Sequence, residues 1–362
     1  MRVLAVDIGT GTQDILLFDS SKLLENCVHM IMPSPTTVVA KRIYVATARR
    51  HPILLSGVTM GGGPSKRALT RHTAAGLAAY ATVEAALTFC DDLEVVKGMG
   101  VTILAPDEVP RVTDLEFIEL KDLDLVAIRR SLDAFAVDHR LDALAVAVLD
   151  HGFAPDMSNR LFRFDHLRRV VANKRELSAF CYLAQEVPDY LTRMKAVVKS
   201  VEVDVPLLLL DTGVAAVLGT LQDEEVAQQD HLLTVNMGNA HTIAFHLRHG
   251  IIEGLFEHHT RLLNAVTLDS LIVSLAQGIL TNEEVYGSGG HGALVISGDE
   301  QRPFIAITGP RQDVIVGSSL KPYRAVPHGD SMLTGCYGLV KACALRMDAW
   351  RDEIEQALIR KT

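Results

Sequence analysis

Two segments of the chain, residues 4–19 and 232–247, share one pattern of strand, polar residue, glycine, small turn and strand. Aligned without a gap, Asn236 falls on Asp7 and Gly238 falls on Gly9. Each segment continues into a third apolar stretch, at residues 27–32 and 251–256. A duplicated hairpin of this kind predicts two similar domains, each of which presents its turn to a shared cleft.

The first turn is built from residue types that suit an anion. Glycine reaches backbone conformations that expose N–H groups, and a concave row of such groups binds anions. The turn consists of Gly9, Thr10, Gly11 and Thr12, so it also offers two hydroxyl groups. Asp7 lies at its mouth, where a carboxylate can hold the Mg²⁺ that accompanies a phosphate. The alternative is an ordinary Asx-type turn in a hairpin.

Composition places the chain among globular proteins. Of its 362 residues, 48% are hydrophobic and 22% are charged, which is enough core for two or three domains. The formal net charge of −9 argues against nucleic acid and anionic membrane surfaces as partners. No apolar run reaches the roughly 18 residues of a membrane span, and a strand pattern begins within a few residues of the N-terminus. We therefore predict a cytoplasmic protein.

Apolar strands alternate with helix-patterned segments through both halves, which predicts an α/β fold with a mixed sheet in each half. The polar run at residues 222–229 is the candidate boundary. We predict a first domain at residues 1–221, with insertions, and a second domain at residues 222–329. The C-terminal helical segment, residues 330–362, is expected to pack back on the first domain.

Five pieces of the chain resemble motifs of the superfamily of actin, sugar and acetate kinases, and the heat-shock-chaperone ATPase. In chain order they are a first phosphate motif, a connecting helix, a second phosphate motif, an adenosine motif and a closing helix, at residues 6–12, 211–219, 235–242, 305–311 and 330–342. The resemblance implies two ribonuclease-H-like domains around a central nucleotide cleft that binds ATP and Mg²⁺. Two positions depart from the usual pattern: Asn236 stands where several branches have Asp, and Pro310 stands where a second glycine is usual.

The resemblance assigns nucleotide contacts residue by residue. They are Gly9, Thr10, Gly11, Thr12 and Gln13 in the first motif, Gly238, Asn239, Ala240, His241 and Thr242 in the second, and Gly309, Pro310 and Arg311 in the third. Mg²⁺ is expected near Asp7, with Asp150 as a second anchor.

More closely, the chain resembles an uncharacterised prokaryotic family often labelled "pyruvate formate-lyase activating". Segments at residues 150–155, 256–260 and 289–292 support this likeness. The chemistry in that label needs a radical iron–sulfur centre with the spacing C-x-x-x-C-x-x-C. The five cysteines, Cys27, Cys90, Cys181, Cys336 and Cys343, do not have this spacing. We therefore reject that activity.

Asp150 follows a strongly apolar strand, and a carboxylate at the carboxyl end of a strand opens into the cleft. We predict that Asp150 and Asp7 are catalytic, with Asp150 as a general base or a metal anchor. A cap or turn role for Asp150 is the open alternative, and a capping role is favoured for Asp211.

A glycine-rich loop that opens a helix predicts a second anion site, for the substrate. The predicted substrate contacts are Gly61, Gly62, Gly63, Ser65, His151 and Arg160. Tight packing and helix capping is the alternative for the loop. Arg160 and Arg163 are candidates to clamp an anionic substrate, and an exposed surface is the alternative for both.

Histidines offer a different chemistry. Neutral imidazoles at His258, His259 and His291, near Glu257, form an alternative transition-metal site. Adjacent histidines on a strand point to opposite faces, so His258 and His259 reach one ion only if the strand bends. Structural or substrate-facing histidines are the competing interpretation.

These features predict an ATP-binding protein that is a Mg²⁺-dependent kinase acting on a small molecule, or an ATPase. One alternative is a regulatory or activating ATPase that acts on a partner protein. Another is a metal-dependent hydrolase that uses the histidine-rich loops.

Overall fold

The computed structural model describes residues 1–105, 108 and 114–359. The chain begins with an antiparallel meander of three strands, β1 (Arg2–Ile8), β2 (Thr12–Asp19) and β3 (Val28–Pro33). Residues 3–6 of β1 are buried without interruption. Continuous burial of this kind shows that the sheet is covered on both faces.

An inserted unit follows the meander, and its four parallel strands form a separate sheet with its own core. Its elements are α1 (Pro35–Arg49), β4 (Ile53–Gly57), α2 (Gly63–Ala74), β5 (Ala79–Thr82), α3 (Val83–Ala86), α4 (Leu93–Gly98), β6 (Val101–Leu104) and β7 (Glu116–Leu120). The next helix, α5 (Leu125–Asp133), packs into the core of the first sheet. The alanine-rich segment at residues 68–89 predicts one or two well-buried helices, but the structure also forms the strand β5 within it. There the pairing with β4 and β6 overrides the helical preference of alanine.

The chain then returns to the first sheet, which has the order β3-β2-β1-β8-β10-β9. The elements of this part are β8 (Ala143–Val148), α6 (Asn159–Asn173), β9 (Tyr182–Leu183), α7 (Thr192–Ser200), β10 (Leu207–Leu210) and α8 (Thr212–Thr220). Strand β8 runs parallel to β1, and β10 runs parallel to β8. Every residue of β8 is buried, as expected for a central parallel strand.

The second half repeats this arrangement. Its elements are α9 (Glu224–Ala227), β11 (His231–Met237), β12 (His241–Arg248), β13 (Ile251–His259), α10 (Ala265–Ala276), α11 (Asn282–Gly287), β14 (Gly292–Val295), β15 (Phe304–Thr308) and β16 (Tyr323–Arg324). The sheet order is β14-β13-β12-β11-β15-β16, again a meander with two parallel strands beside its first strand. The prediction of an α/β fold with two ribonuclease-H-like sheets is confirmed.

Helix α8 and the first of two C-terminal helices pack against each other between the two six-stranded sheets. The chain ends with α12 (Thr334–Arg346) and α13 (Arg351–Ile359), and α12 contacts α8, β1 and β8. A Cβ added to Gly219 would lie 1.7 Å from the Thr334 carbonyl oxygen, and one added to Gly338 would lie 1.8 Å from that of Ala215. Only glycine permits so close a helix crossing. Asp7 and Asn236, near the carboxyl ends of β1 and β11, line the same cavity.

None of the described helices combines the length and the apolar character that a bilayer crossing requires.

Candidate functional site: a cleft between two glycine turns

The two glycine turns have the same internal hydrogen bond. The Gly9 N–H donates to the carbonyl of Thr12 over 3.0 Å, and the Gly238 N–H donates to the carbonyl of His241 over 2.9 Å. These pairs occupy equivalent positions in the ungapped alignment of the two hairpins. The duplication seen in the sequence is therefore also a duplication of backbone geometry.

Each turn is also anchored from behind by one hydroxyl residue. Ser34, the N-cap of α1, donates its hydroxyl to the Thr10 carbonyl and its backbone N–H to the Gly11 carbonyl, over 2.8 and 3.1 Å. Thr260 donates its hydroxyl to the Gly238 carbonyl and its N–H to the Ala240 carbonyl, over 2.7 and 3.0 Å. Both turns thus have their carbonyl groups held by the scaffold.

The turns line one cleft of about 640 Å³. A Cβ added to Gly11 would lie 3.0 Å from Nδ2 of Asn239, so the two turns almost touch across the gap. The inserted unit supplies a third wall, where a Cβ added to Gly63 would lie 3.3 Å from Cγ2 of Thr10. The shared cleft predicted from the duplicated hairpin is present in the structure.

Most of the predicted site residues line this cleft. They are Asp7, Gly9, Thr10, Thr12, Gly61, Gly62, Gly63, Asp150, His151, Gly238, Asn239, Ala240, His241, Gly309 and Pro310. They come from both halves and from the inserted unit.

The structure places the other predicted contacts away from the cleft lining. Gly11 is exposed and faces Asn239 of the second turn, and Gln13 donates its side-chain amide to the Pro33 carbonyl. Thr242 is buried against Thr260, and Ser65 donates its hydroxyl to the Gly62 carbonyl. Thr242 and Ser65 therefore stabilise the turns from behind.

Two predicted arginine contacts also have other partners. Arg311 forms a bidentate ion pair with Asp313 at the surface. Arg160 donates to the Gly290 carbonyl over 2.8 Å and stacks on the ring of Tyr286.

Two carboxylates lie side by side at the cleft. Asp7 and Asp14 are direct partners in the register of β1 and β2. Burial raises the pKa of Asp7 to about 7, and the Asp14 charge adds to the shift, whereas a 2.5 Å hydrogen bond from the Thr212 hydroxyl opposes it. Burial also raises the pKa of Asp14 to about 6. A Cβ on Gly335 would lie 1.9 Å from Oδ2 of Asp7, so only glycine fits there.

Asp14 was missed by the sequence reasoning, although it lines the cleft. Hairpin register was the available signal, because a tight turn that begins after Ile8 places Asp14 opposite Asp7. Arg193, which also lines the cleft, had no such signal. It binds Asp122 in a bidentate pair and donates to the Leu149 carbonyl.

The Asp150 carboxylate is held by two backbone groups. Its Oδ1 accepts from the Gly152 N–H over 2.8 Å and its Oδ2 accepts from the Met194 N–H over 2.9 Å. Burial raises its pKa to about 6, while these two hydrogen bonds act in the opposite direction. Such contacts favour the turn and cap interpretation over that of a free general base. Asp211 caps α8 through the Gly213 N–H, as favoured from the sequence.

Arg163 is fully buried among acidic groups. Its Nε and Nη2 donate to the two oxygens of Glu257 over 2.7 and 2.8 Å, and its Nη1 donates to Asp211 over 2.7 Å. Burial alone raises the pKa of Glu257, but the guanidinium outweighs this and holds that pKa below its usual range. Arg163 is neither an exposed surface residue nor a clamp for substrate. It joins α6 and α8 of the first half to β13 of the second.

Four histidine rings gather beside the second turn. His241 and His259 are cross-strand partners on β12 and β13, with ring centroids 5.1 Å apart. His291 lies 4.9 Å from each of them, and His151 lies 5.5 Å from His241. The predicted trio is corrected at His258, which contacts Ser288 and the His259 carbonyl because neighbouring strand residues face opposite ways.

The histidines are electrically neutral near pH 7. Burial lowers the pKa of His241 to about 4, although Glu257 acts in the opposite direction. Burial and His241 lower the pKa values of His151 and His291 as well. Neutral imidazoles can accept hydrogen bonds or ligate metal ions.

Residues 60–314 match the model of a family described as "Putative pyruvate format-lyase activating enzyme (DUF1786)". This match spans more than two thirds of the chain. The chain belongs to this family. Its five cysteines are free, and the one group of metal-ligand side chains found in the described residues consists of histidines. The family description therefore names a chemistry for which this member lacks the cysteine spacing. No curated protein sequence matches the chain significantly.

Three solved structures show weak overall similarity. The first is a ROK family transcriptional regulator described as a homolog of E. coli MLC protein, with 8% identity, a TM-score of 0.27 and coverage of 69% of this chain and 37% of that one. The second is a ROK hexokinase from Thermus thermophilus, with 13% identity, a TM-score of 0.32 and coverage of 94% of this chain and 98% of that one. The third is an exopolyphosphatase from Cytophaga hutchinsonii, with 12% identity, a TM-score of 0.30 and coverage of 86% of this chain and 68% of that one. The chain thus spans less than half of the first of these proteins. Similarity this low carries no argument about activity.

Proposed function

We propose that the cleft binds ATP with Mg²⁺ and that the protein transfers the terminal phosphoryl group to a small molecule or to water. The observation that supports this most strongly is the pair of equivalent turns, whose closest atoms nearly meet across the cleft. A polyphosphate between them would receive N–H groups from both halves. Glycine turns of this kind bind phosphate through the backbone, without needing a basic side chain.

The anchoring of the carbonyl groups supports the same proposal. Ser34 and Thr260 hold the carbonyls of the two turns, so the oxygen atoms that would repel a phosphate are already engaged. Thr10 and Thr12 add hydroxyl donors at the cleft. The N-terminus of α2, a helix of 12 residues, reaches the same cleft at Gly63, where its dipole favours an anion.

Asp7 and Asp14 fit a magnesium ion. Mg²⁺ prefers oxygen ligands and keeps several waters, so a pair of carboxylates beside a phosphate is a suitable donor set. Oδ1 of Asp14 is buried without a hydrogen-bond partner in the described part of the chain, as expected for an atom that serves an ion or its water. When bound, Mg²⁺ would neutralise charge on the phosphate oxygens.

The remaining parts of ATP and the substrate have candidate places. Gly309, with φ of 97°, packs against Met237 and Asn236 at the base of the second turn, where an added Cβ would lie 2.5 Å from a carbonyl oxygen. This close approach suits the adenosine end of the nucleotide. The substrate would lie toward Gly61 and His151, which line the same cleft. Closure of the halves would then bring the two together.

The test is calorimetric binding of a non-hydrolysable ATP analogue, with and without Mg²⁺. We expect saturable, Mg²⁺-dependent binding that Asp7→Asn weakens at least about tenfold, because a neutral amide replaces a negatively charged ligand. Asp189→Asn, at a fully exposed carboxylate, is the matched control and should bind like the wild type.

Wild-type protein that does not bind the analogue, or Asp7→Asn that binds it equally well, would overturn the proposal. ATP turnover stimulated by small molecules would support the kinase form of it. Turnover stimulated only by a protein would instead support the activating-ATPase alternative.

A further inference from the structure

Three histidines from distant parts of the chain converge beside the second turn. His151 follows β8 of the first half, His241 opens β12, and His291 immediately precedes β14. One ring nitrogen of each lies within 4.8 Å of those of the other two. His151 and His241 line the cleft, whereas His291 lies beneath them and is completely buried.

The buried ring of His291 is the decisive feature. Neither Nδ1 nor Nε2 has a hydrogen-bond partner among the described residues. A buried polar group without a partner is unfavourable, and folded proteins seldom leave two such atoms on one ring. The ring nitrogens of His151 and His241 surround it without hydrogen-bonding to it, so the ring is placed as a metal ligand would be.

We propose that His151, His241 and His291 bind one divalent transition-metal ion, with an open coordination position that faces the cleft. This site is separate from the carboxylate pair of Asp7 and Asp14, and its existence does not depend on nucleotide binding. The open position would take an oxygen donor of the substrate, such as a hydroxyl, carboxylate or phosphate group.

The geometry suits an ion of this size. The centre of a triangle with 4.8 Å sides lies about 2.8 Å from each corner, whereas zinc–imidazole bonds are about 2.0–2.1 Å long. Small side-chain rotations would therefore close the site. Imidazole nitrogen favours zinc and other late first-row metals over Mg²⁺, and three histidines with one free position are typical of catalytic zinc.

The surroundings supply rigidity. Glu257 favours positive charge on His241 and His151, but the Arg163 guanidinium opposes it at all three histidines, so the geometry of the rings, and not the surrounding charge, supports a metal ion. The backbone N–H of His291 donates to the Glu257 carbonyl over 2.8 Å, which fixes the segment that carries the buried ligand. Because His151 belongs to the first half and the other two to the second, the metal would also link the two halves.

The experiment uses full-length protein purified without a histidine tag and stripped with a chelator. Zn²⁺ binding is measured by competition with a chromophoric chelator, and bound Co²⁺ is followed by visible absorption. We expect one equivalent of tightly bound metal in the wild type. His291→Ala should lower the affinity at least about 100-fold, because loss of even an outer-shell partner costs about 10- to 100-fold.

His258→Ala is the matched control. This histidine, on β13, is also buried, but it contacts Ser288 and faces away from the cluster. It should retain wild-type metal affinity. Circular dichroism confirms that both variants fold, and binding of the ATP analogue is measured in parallel. We expect His291→Ala to keep analogue binding, because His291 lies outside the cleft lining.

Less than about 0.1 equivalent of metal in the wild type, or an unchanged affinity in folded His291→Ala, would overturn the metal site. A loss in His259→Ala as large as that in His291→Ala would overturn the three-ligand assignment. Neither result bears on the nucleotide proposal, which has its own readout in the analogue titration.

Discussion

The two hairpins have the same backbone but different chemistry. Both turns repeat one hydrogen bond at equivalent residues, and both have their carbonyls anchored by a hydroxyl residue. The first presents two carboxylates, Asp7 and Asp14, while the same positions in the second are Asn236 and Ile243. Duplication thus preserved the turn that can bind an anion and left the carboxylates on one side. Four carboxylates around a single phosphate would repel it and one another.

The largest expected effect comes from breaking the connection that holds the hairpins opposite each other. Arg163→Met would leave Asp211 and Glu257 buried without their cation. We expect the free energy of unfolding to fall by about 3–5 kcal/mol, because a buried carboxylate without its partner is strongly unfavourable. Urea unfolding followed by circular dichroism measures the change.

Arg169→Met is the control for that substitution. Arg169 lies on the same helix and pairs with Asp165, but both side chains are exposed. Exposed pairs contribute about 0–1 kcal/mol, so the control should change stability little. Equal effects of the two substitutions would show that the buried triad does not join the halves.

Sequence reasoning was most successful where local pattern decides structure. The hairpins, the apolar parallel strands and the capping role of Asp211 all follow from spacing and residue type. It failed at β5, where pairing with neighbouring strands makes a strand from alanine-rich text. Burial within a sheet is a tertiary property that a window of residues does not contain.

The site shows the same division. The residues of each turn were readable because each turn is one short segment. The partners of Arg163 and the three converging histidines lie about 50 to 140 residues apart in the chain, so only the assembled fold brings them together. Asp14 is the exception, because the register of the first hairpin places it opposite Asp7 and that register follows from a short segment.

An intermediate effect is expected from crowding the carboxylates of the first hairpin. Gly335→Ala would place a methyl group 1.9 Å from Oδ2 of Asp7, which must move. We expect a loss of about 1–3 kcal/mol in the free energy of unfolding, together with weaker Mg²⁺-dependent binding of the ATP analogue. Gly287→Ala, in a helix with open space at the Cβ position, is the matched control and should be neutral or stabilising. Unchanged analogue binding in Gly335→Ala would indicate that the position of Asp7 is unimportant.

The smallest effect is expected from exchanging the carboxylate of the first hairpin and the amide of the second. Asp7→Asn gives the first hairpin the amide of the second, and Asn236→Asp makes the reverse change. The folded-state pKa of Asp7 is raised to about 7, so the folded protein binds a proton that the unfolded chain releases near pH 4, and wild-type stability falls as pH rises between these values.

In the absence of Mg²⁺, Asp7→Asn should therefore stabilise the protein at pH 8, by about 1–2 kcal/mol after allowance for screening by water in the cleft, and have little effect at pH 4. Asn236→Asp should destabilise it at pH 8 and do so less at pH 4, since a new carboxylate would be charged only at the higher pH. Urea unfolding of both variants at the two pH values measures this. If Asp7→Asn proved equally neutral at both, the Asp7 carboxylate would be as well solvated in the folded protein as in the unfolded chain. The first hairpin would then hold no destabilising charge for a metal ion to neutralise. Asp7 and Asn236 would have the same electrostatic effect on stability.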